Sequence, residues 1–296
     1  MANTHINSAR DFLNYLASTP IKLPFDPDLL PALFDSMADD SKSSMRDLAE
    51  LVARSQGLAA KVLSVANSAC YGLLTSVTTL ERAVQVLGIV DLRSLVIMFS
   101  MSESIPQKDL PRGFPSSLLW SHQLRTAKLG RCITATIAEK YPQTQDLPEP
   151  DSVYAAGLLH DLGKIILAYR SPQDWQNITQ MGDYKGLSKA ELEEEYWGID
   201  HGSIGGIVLK DWNLPPILTD MVSWHHYPHF AENNKLAVRI LAAANILAEA
   251  ALGKGTIIPL EVLQALPEFS SMLVDMHEDL GRVISDERTD MFVGLI

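Results

Sequence analysis

Helical signals recur along the whole of this chain, and almost no segment alternates apolar and polar residues as a β-strand would. Capping boxes, a common start of helices, occur at SMRD (44–47), TTLE (78–81) and SKAE (188–191). The helix after TTLE is expected to end at Gly88, and longer helices are predicted from about Ser117 to Lys140 and from Asp151 to Tyr169. The sequence therefore predicts an all-α protein with roughly a dozen helices.

Composition excludes several classes of protein. Of the 296 residues, 47% are apolar and 20% are charged, so most of the chain has enough apolar surface to fold. The net charge is −12 and no cluster of Lys and Arg is present, which argues against nucleic-acid binding. The N-terminus lacks the pattern of a signal peptide, and the apolar run from Leu95 to Met101 is too short to cross a bilayer. We therefore expect a cytoplasmic protein without nucleic-acid or membrane partners, in which Cys70 and Cys132 are reduced and buried.

The segment GLLHDLGK, Gly157 to Lys164, places an adjacent His160–Asp161 pair inside an otherwise apolar helix. Burying an imidazole and a carboxylate without partners is costly. A divalent cation would stabilise both, since imidazole nitrogen is a metal ligand and a carboxylate can bridge two ions. The alternative is a buried pair that hydrogen-bonds to neighbouring backbone.

Four further histidines have positions that can be explained with or without a metal. His122 is on the inward stripe of its helix, and His201 follows Asp200, a candidate helix cap. His225 and His226 end the segment ILTDMVSWHH, where a helix C-terminus would favour imidazolium. Surface positions are expected for three other histidines and one acidic run: His5, His229, His277 and Glu193 to Glu195.

Together, the order of these histidines and the segments around them resembles the HD superfamily of metal-dependent phosphohydrolases. The closer resemblance is to its HDOD branch, the HD-related output domain of bacterial signalling proteins. The motifs that carry it are ANSACYG, TTLERAVQVLG, AAGLLHDLGK, DHGSIGG, DWNLPP and SWHH. The resemblance implies an HD-like bundle of many helices with an N-terminal helical lobe and a C-terminal helical extension.

The same resemblance implies a division of the chain. Residues 1–14 would start an N-terminal helix, and residues 15–228 would form the HDOD domain. A proline-containing break, Met101 to Pro115, divides that domain into an N-terminal lobe, about 15–110, and an HD-like lobe, about 115–228. Residues 229–296 would form C-terminal helices that pack on the HD-like lobe.

Members of the HD superfamily hold one or two divalent metals, which activate water and neutralise charge at phosphorus. The resemblance implies six metal ligands in this chain: His122, His160, Asp161, His201, His225 and His226. Asp161 and Lys164 would be the catalytic residues, with the Lys164 ammonium meeting a phosphate. A lysine that extends to solvent is the alternative. Iron, zinc, manganese and nickel are all compatible with such ligands.

Two features depart from the enzymes of the superfamily. Those enzymes end their ligand series with an aspartate, whereas this chain has Asn245, 19 residues after His226. Asn245 is a weaker ligand, or else a polar core residue bonded to a neighbouring helix. The Gly-Tyr-Pro signature of the cyclic-di-GMP phosphodiesterase branch is absent from the sequence.

The resemblance supports two functions, and a third possibility is a structural module with an empty pocket. The first is a signalling protein whose pocket holds metal and which acts through contact with a protein partner. The second is an active metal-dependent phosphohydrolase that cleaves a phosphoester or nucleotide. The segment ANSACYG is either part of the partner surface or a helix-packing element, with Asn67 and Tyr71 forming hydrogen bonds within the lobe.

Overall fold

A computed structural model of the chain describes residues 29–36, 42–105, 107–185, 187–250 and 258–286, and positions 13, 14, 18, 289, 293 and 294. Within these ranges every regular element is a helix, which confirms the all-α prediction. The side chain of Cys70, the position of His5 and most of the segment 1–14 lie outside the described residues.

Among the described residues, four helices precede the proline-containing break: α1 (Leu29–Ser36), α2 (Met45–Val52), α3 (Gln56–Ala66) and α4 (Leu80–Ser104), with a 3₁₀ turn at Ala69–Tyr71. Ser44 and Asp47 form the predicted capping box at the start of α2. Thr79 caps α4, and the predicted end at Gly88 is a kink with φ of 70°, after which the helix resumes. Helix α4 is long and apolar enough to cross a membrane, but 67% of its apolar window is buried inside the protein.

Eight helices follow the break: α5 (Ser116–Lys140), α6 (Pro150–Leu159), α7 (Leu162–Arg170), α8 (Pro172–Lys185), α9 (Lys189–Trp197), α10 (His201–Asp211), α11 (Pro216–Trp224) and α12 (Lys235–Glu249). Helix α5 runs along both α6 and α12, and α10 packs against α7 and α11. The long helix is confirmed, beginning one residue earlier than predicted.

The prediction of one helix from Asp151 to Tyr169 is wrong, because α6 ends at Leu159 and α7 begins at Leu162. Asp161 lies between them with φ −97° and ψ 10°, outside helical geometry. Neighbouring side chains on a continuous helix point about 100° apart. At this interruption the two side chains face one site, with Nε2 of His160 3.4 Å from Oδ1 of Asp161.

Three short helices complete the described chain: α13 (Leu260–Ala265), α14 (Ser270–Asp275) and α15 (His277–Ile284). Further 3₁₀ turns lie at Gln107–Asp109, Pro228–Phe230 and Pro267–Phe269. Helix α13 contacts α12, and α15 contacts α5. Cys132 on α5 is a free thiol and only half-buried, so the expectation of a buried cysteine holds in part.

Candidate metal centre

The six candidate ligands come together from four places in the fold. Helix α5 carries His122, the junction of α6 and α7 carries His160 and Asp161, α10 begins at His201, and His225 and His226 follow α11. Their ligand atoms form two groups, each within 4.8 Å: His122 with His160 and Asp161, and His201 with His225 and His226. His229 and His277 are exposed, as expected.

The carboxylate of Asp161 lies between these two groups. Its Oδ1 is 3.2 Å from Nε2 of His201, 3.4 Å from Nε2 of His160 and 4.0 Å from Nε2 of His225. Its Oδ2 is 3.8 Å from Nε2 of His122. Asp161 is fully buried, yet among the described residues Oδ1 has no hydrogen-bond partner. An unsatisfied carboxylate oxygen among imidazole nitrogens has the chemistry of a cation site.

Backbone carbonyls set the proton positions of two of these histidines. Nδ1 of His160 donates to the carbonyl of Gly157, and Nδ1 of His225 donates to that of Val222, both at 2.8 Å. Each Nε2 therefore carries the lone pair that a metal requires. Burial lowers the pKa of His160 to about 3 and that of His225 far below its ordinary value. Both imidazoles are thus neutral near pH 7.

The two remaining histidine contacts also bring ligand nitrogens close together. Nε2 of His226 is 2.9 Å from Nε2 of His201, and Nε2 of His122 is 3.2 Å from Nε2 of His160. Burial, with a smaller contribution from the charge of His201, lowers the pKa of His226 to about 2. A cation bound between the two nitrogens of such a pair would have both as ligands.

Sequence reasoning missed Glu193. The acidic run was expected to be solvated, but Glu193 is 1% exposed, and this part of the prediction is wrong. Its Oε2 accepts hydrogen bonds from Nδ1 of His201 at 2.5 Å and from the backbone N–H of His201 at 2.8 Å. Helical spacing was the available signal, since Glu193 shares a face with Ala190 and Trp197, which are both buried.

Glu193 controls both the pKa and the orientation of the His201 imidazole. Burial alone would lower the pKa of His201, but the carboxylate of Glu193 outweighs it and the pKa is raised. The bond to Nδ1 directs Nε2 of His201 toward Asp161. Carboxylates placed in this way orient metal-binding histidines in many proteins.

Lys164 and Asn245, two further candidates from the sequence, also lie at the candidate metal centre. Nζ of Lys164 donates to Oδ2 of Asp161 at 2.7 Å, so this lysine is held at the site and does not simply extend to solvent. Oδ1 of Asn245 is 2.8 Å from Nε2 of His122, and Asn245 is buried. Asn245 is therefore a polar core residue bonded to the neighbouring helix α5. The residue that it contacts there, His122, is a candidate ligand.

A cavity of about 570 Å³ adjoins the histidines. His225, His226 and Lys164 line it from the side of the candidate metal centre, and Asn245 and Arg239 of α12 also line it. The site thus combines a cluster of candidate ligands with room for a small molecule beside it.

The family model of the HDOD domain matches residues 23–228 of this chain. The chain belongs to the HDOD family. The HDOD match contains all six candidate ligands, whereas Arg239, Asn245 and the helices α12 to α15 lie beyond its end. Within it, Asn67 of ANSACYG closes a loop by hydrogen bonds to the N–H and carbonyl of Val77, as a packing element would.

An uncharacterized protein of Treponema pallidum (strain Nichols) is 23% identical over 203 residues, which are 68% of this chain and 37% of that protein. The chain thus spans little more than a third of the length of this curated relative.

Several solved structures share the fold. A candidate signal transduction protein from Marinobacter aquaeolei VT8 has a TM-score of 0.74 at 20% identity, covering 99% of this chain and 67% of that one. A candidate phosphohydrolase from Shewanella amazonensis SB2B has a TM-score of 0.68 at 22% identity, covering 95% and 96%. An HDOD domain protein of unknown function from Geobacter sulfurreducens has a TM-score of 0.63 at 23% identity, covering 98% and 93%.

Proposed function

We propose that this HDOD protein binds one or two divalent metal ions and hydrolyses a small phosphoester in their pocket. The observation that carries the proposal is the buried Oδ1 of Asp161, which has no hydrogen-bond partner among the described residues and faces three imidazole nitrogens. Such an atom is costly to bury unless a cation accompanies it. The candidate phosphohydrolase of Shewanella amazonensis shares this fold, which agrees with the proposal.

The donor set fits divalent transition metals. Five imidazoles and one carboxylate suit iron, zinc, manganese or nickel better than magnesium or calcium, which prefer oxygen ligands. Asp161 lies between the two groups of histidines, where a carboxylate can hold two ions together. Bound divalent ions would supply Lewis-acid stabilisation of charge at phosphorus and a more acidic water.

The protein's own residues would hold and orient the phosphate. Lys164 is neutralised by Asp161 through a 2.7 Å ion pair. When the charge of Asp161 is shared with cations, the Lys164 ammonium becomes available to a phosphate oxygen. Nδ1 protons on His160 and His225 keep their ligand nitrogens free, and Glu193 holds Nδ1 of His201 so that Nε2 is the nitrogen that faces Asp161.

Metal content and phosphate release test the proposal together. Untagged protein, purified without nickel resin, is assayed for metal per chain beside His160→Ala and Asp161→Ala. We expect one to two equivalents in the unchanged protein, lost in both variants, and metal-dependent phosphate release from a panel of nucleotides. Phosphate release that survives Asp161→Ala would contradict the assigned site, and absence of metal from the unchanged protein would contradict the metal centre.

A second candidate is a regulatory protein whose pocket binds metal without turnover and whose output is contact with a signalling partner in the cytoplasm. Asn245 favours it, because a neutral amide contacts His122 where superfamily enzymes supply a carboxylate. The related fold of the candidate signal transduction protein from Marinobacter aquaeolei agrees with such a setting. Metal at full occupancy without phosphate release would select this candidate.

A further inference from the structure

The cavity beside the metal centre has a cationic side chain that neither the histidine series nor the HD motif includes. Lys189, the first residue of α9, lines it together with Lys164, His225 and His226. The capping box of Ser188 and Glu191 fixes the start of this helix, and therefore the place from which Lys189 extends.

Within the described residues, the ammonium of Lys189 has an aromatic neighbour but no hydrogen bond or ion pair. Its Nζ lies 5.4 Å from the ring centre of Trp175, and the described residues provide no hydrogen-bond acceptor for it. Burial lowers the pKa of Lys189; the charge of Glu193 opposes that shift, and the charge of Lys164 adds to it. Both ammonium groups line the same cavity, and an anion bound there would stabilise the two positive charges.

We propose that Lys189 binds the phosphate group of the ligand together with Lys164. This inference rests on the proposed function, and it adds an anion-binding residue outside the HD motif. An ammonium held against an aromatic ring and facing a cavity is placed to donate to a phosphate oxygen.

Other residues that line the same cavity indicate which groups the rest of the ligand carries. Glu249 ends α12, and Glu261 and Gln264 lie on α13, so all three come from beyond the HDOD match. Their side-chain oxygens accept hydrogen bonds from hydroxyl or amino groups. The ligand class is therefore a small organic phosphate, such as a nucleotide or sugar phosphate, with hydrogen-bond donors outside its phosphate group.

Arg239 helps to hold these cavity-lining residues in place. Its guanidinium donates to the carbonyl of Ala265 at 2.7 Å and to Glu268 at 2.5 Å. The link joins α12 to the end of α13 and fixes the side of the cavity on which Glu261 and Gln264 lie.

Calorimetric binding of inorganic phosphate and of AMP to the full chain, with metal content measured in each sample, tests the assignment. Lys189→Ala should weaken both ligands about tenfold to a hundredfold, the loss of one hydrogen bond to a charged group. Lys189→Arg should restore most of the affinity, and Lys210→Ala, at an exposed lysine on α10, should leave the affinity unchanged.

Gln264→Ala should weaken the binding of AMP but not of inorganic phosphate, with Glu278→Ala, at an exposed position, as its control.

The outcomes separate this inference from the proposed function. Phosphate binding that is unchanged in Lys189→Ala overturns the role of Lys189, while metal content and phosphate release still report on the metal centre. Failure of the unchanged protein to bind either ligand at millimolar concentration also overturns it. Equal weakening of phosphate and AMP binding by Gln264→Ala would overturn the assignment of Gln264 to the part of the ligand outside its phosphate.

Discussion

The carboxylate of Glu193 determines which nitrogen of His201 faces the candidate metal centre. Because Oε2 accepts from both Nδ1 and the backbone N–H, it fixes the imidazole in one orientation. The carboxylate also makes the imidazole a more basic ligand than a backbone carbonyl would. His201 differs in this respect from His160 and His225, whose Nδ1 atoms donate to carbonyl oxygens.

Glu193→Gln should weaken metal binding about tenfold, because the amide keeps a hydrogen-bond acceptor but removes the negative charge. Competition with a chelating dye measures the affinity. Glu195→Gln, an exposed position in the same acidic run, is the matched control. Equal metal affinity in the unchanged protein, Glu193→Gln and Glu195→Gln would show that the charge of Glu193 does not contribute to metal binding.

Asn245→Asp should strengthen metal binding. Its side chain lies 2.8 Å from Nε2 of His122, so a carboxylate there would add negative charge to the first group of ligands. We expect about tenfold tighter metal binding and faster phosphate release. Asn245→Ala separates charge from packing, and tighter binding in that variant would contradict the electrostatic explanation.

At the scale of elements, the close approach of α7 to α10 assembles the site. A Cβ on Gly163 would lie 1.9 Å from the carbonyl oxygen of His201, so the two backbones touch. This contact brings Asp161, just before α7, within reach of His201 at the start of α10. Glycine is required at this position because no side chain fits between the helices.

Gly163→Ala should therefore destabilise the protein by about 3 kcal/mol, because backbone atoms must move to admit the methyl group. Metal should be lost together with stability, since the movement separates His201 from Asp161. Gly281→Ala on α15 is the control: a Cβ there meets nothing within 4 Å, so it should stabilise by about 0.5 to 1 kcal/mol. Denaturant unfolding measures both, and metal retained by Gly163→Ala would contradict the link.

Sequence periodicity predicted helices well where local signals mark their ends. The box at Ser44 and the helix ending at Lys140 are as predicted, because capping and apolar spacing act within one helix. The sequence did not predict the interruption between α6 and α7 at Asp161, because the residues around it are apolar on every side of the helix. It depends on contacts with α5 and α10 that lie far away in the chain. Glu193 was missed for a similar reason: its neighbours Glu194 and Glu195 are exposed, and its own partner is eight residues away.

At the scale of the whole molecule, Asp151 joins the helices on either side of the proline-containing break. Its Oδ2 is 2.9 Å from the guanidinium of Arg93 on α4, and its Oδ1 is 2.7 Å from that of Arg131 on α5. Ser94 and Tyr154 add a hydrogen bond of 2.6 Å between α4 and α6. The N-terminal helices and the helices of the candidate metal centre are thus held together by a buried polar contact as well as by the apolar core.

Asp151→Asn should lower the free energy of unfolding by about 3 kcal/mol near neutral pH, because the buried Arg93 loses its carboxylate partner. Burial alone would raise the pKa of Asp151, but the hydrogen bond from Arg131 and the charge of Arg93 outweigh it and hold the pKa below 3.8. The contribution is therefore complete above pH 3.8, the ordinary value, and is lost as the pH falls from there through the folded pKa. The difference in the free energy of unfolding between the unchanged protein and Asp151→Asn should accordingly be constant from pH 5 to 7 and shrink below about pH 4.

Urea unfolding across this pH range measures the difference, and Asp279→Asn, at an exposed position, is expected to cost less than about 0.5 kcal/mol at any pH. A difference that persists unchanged at pH 3 would mean that Asp151 acts through packing and not through its charge.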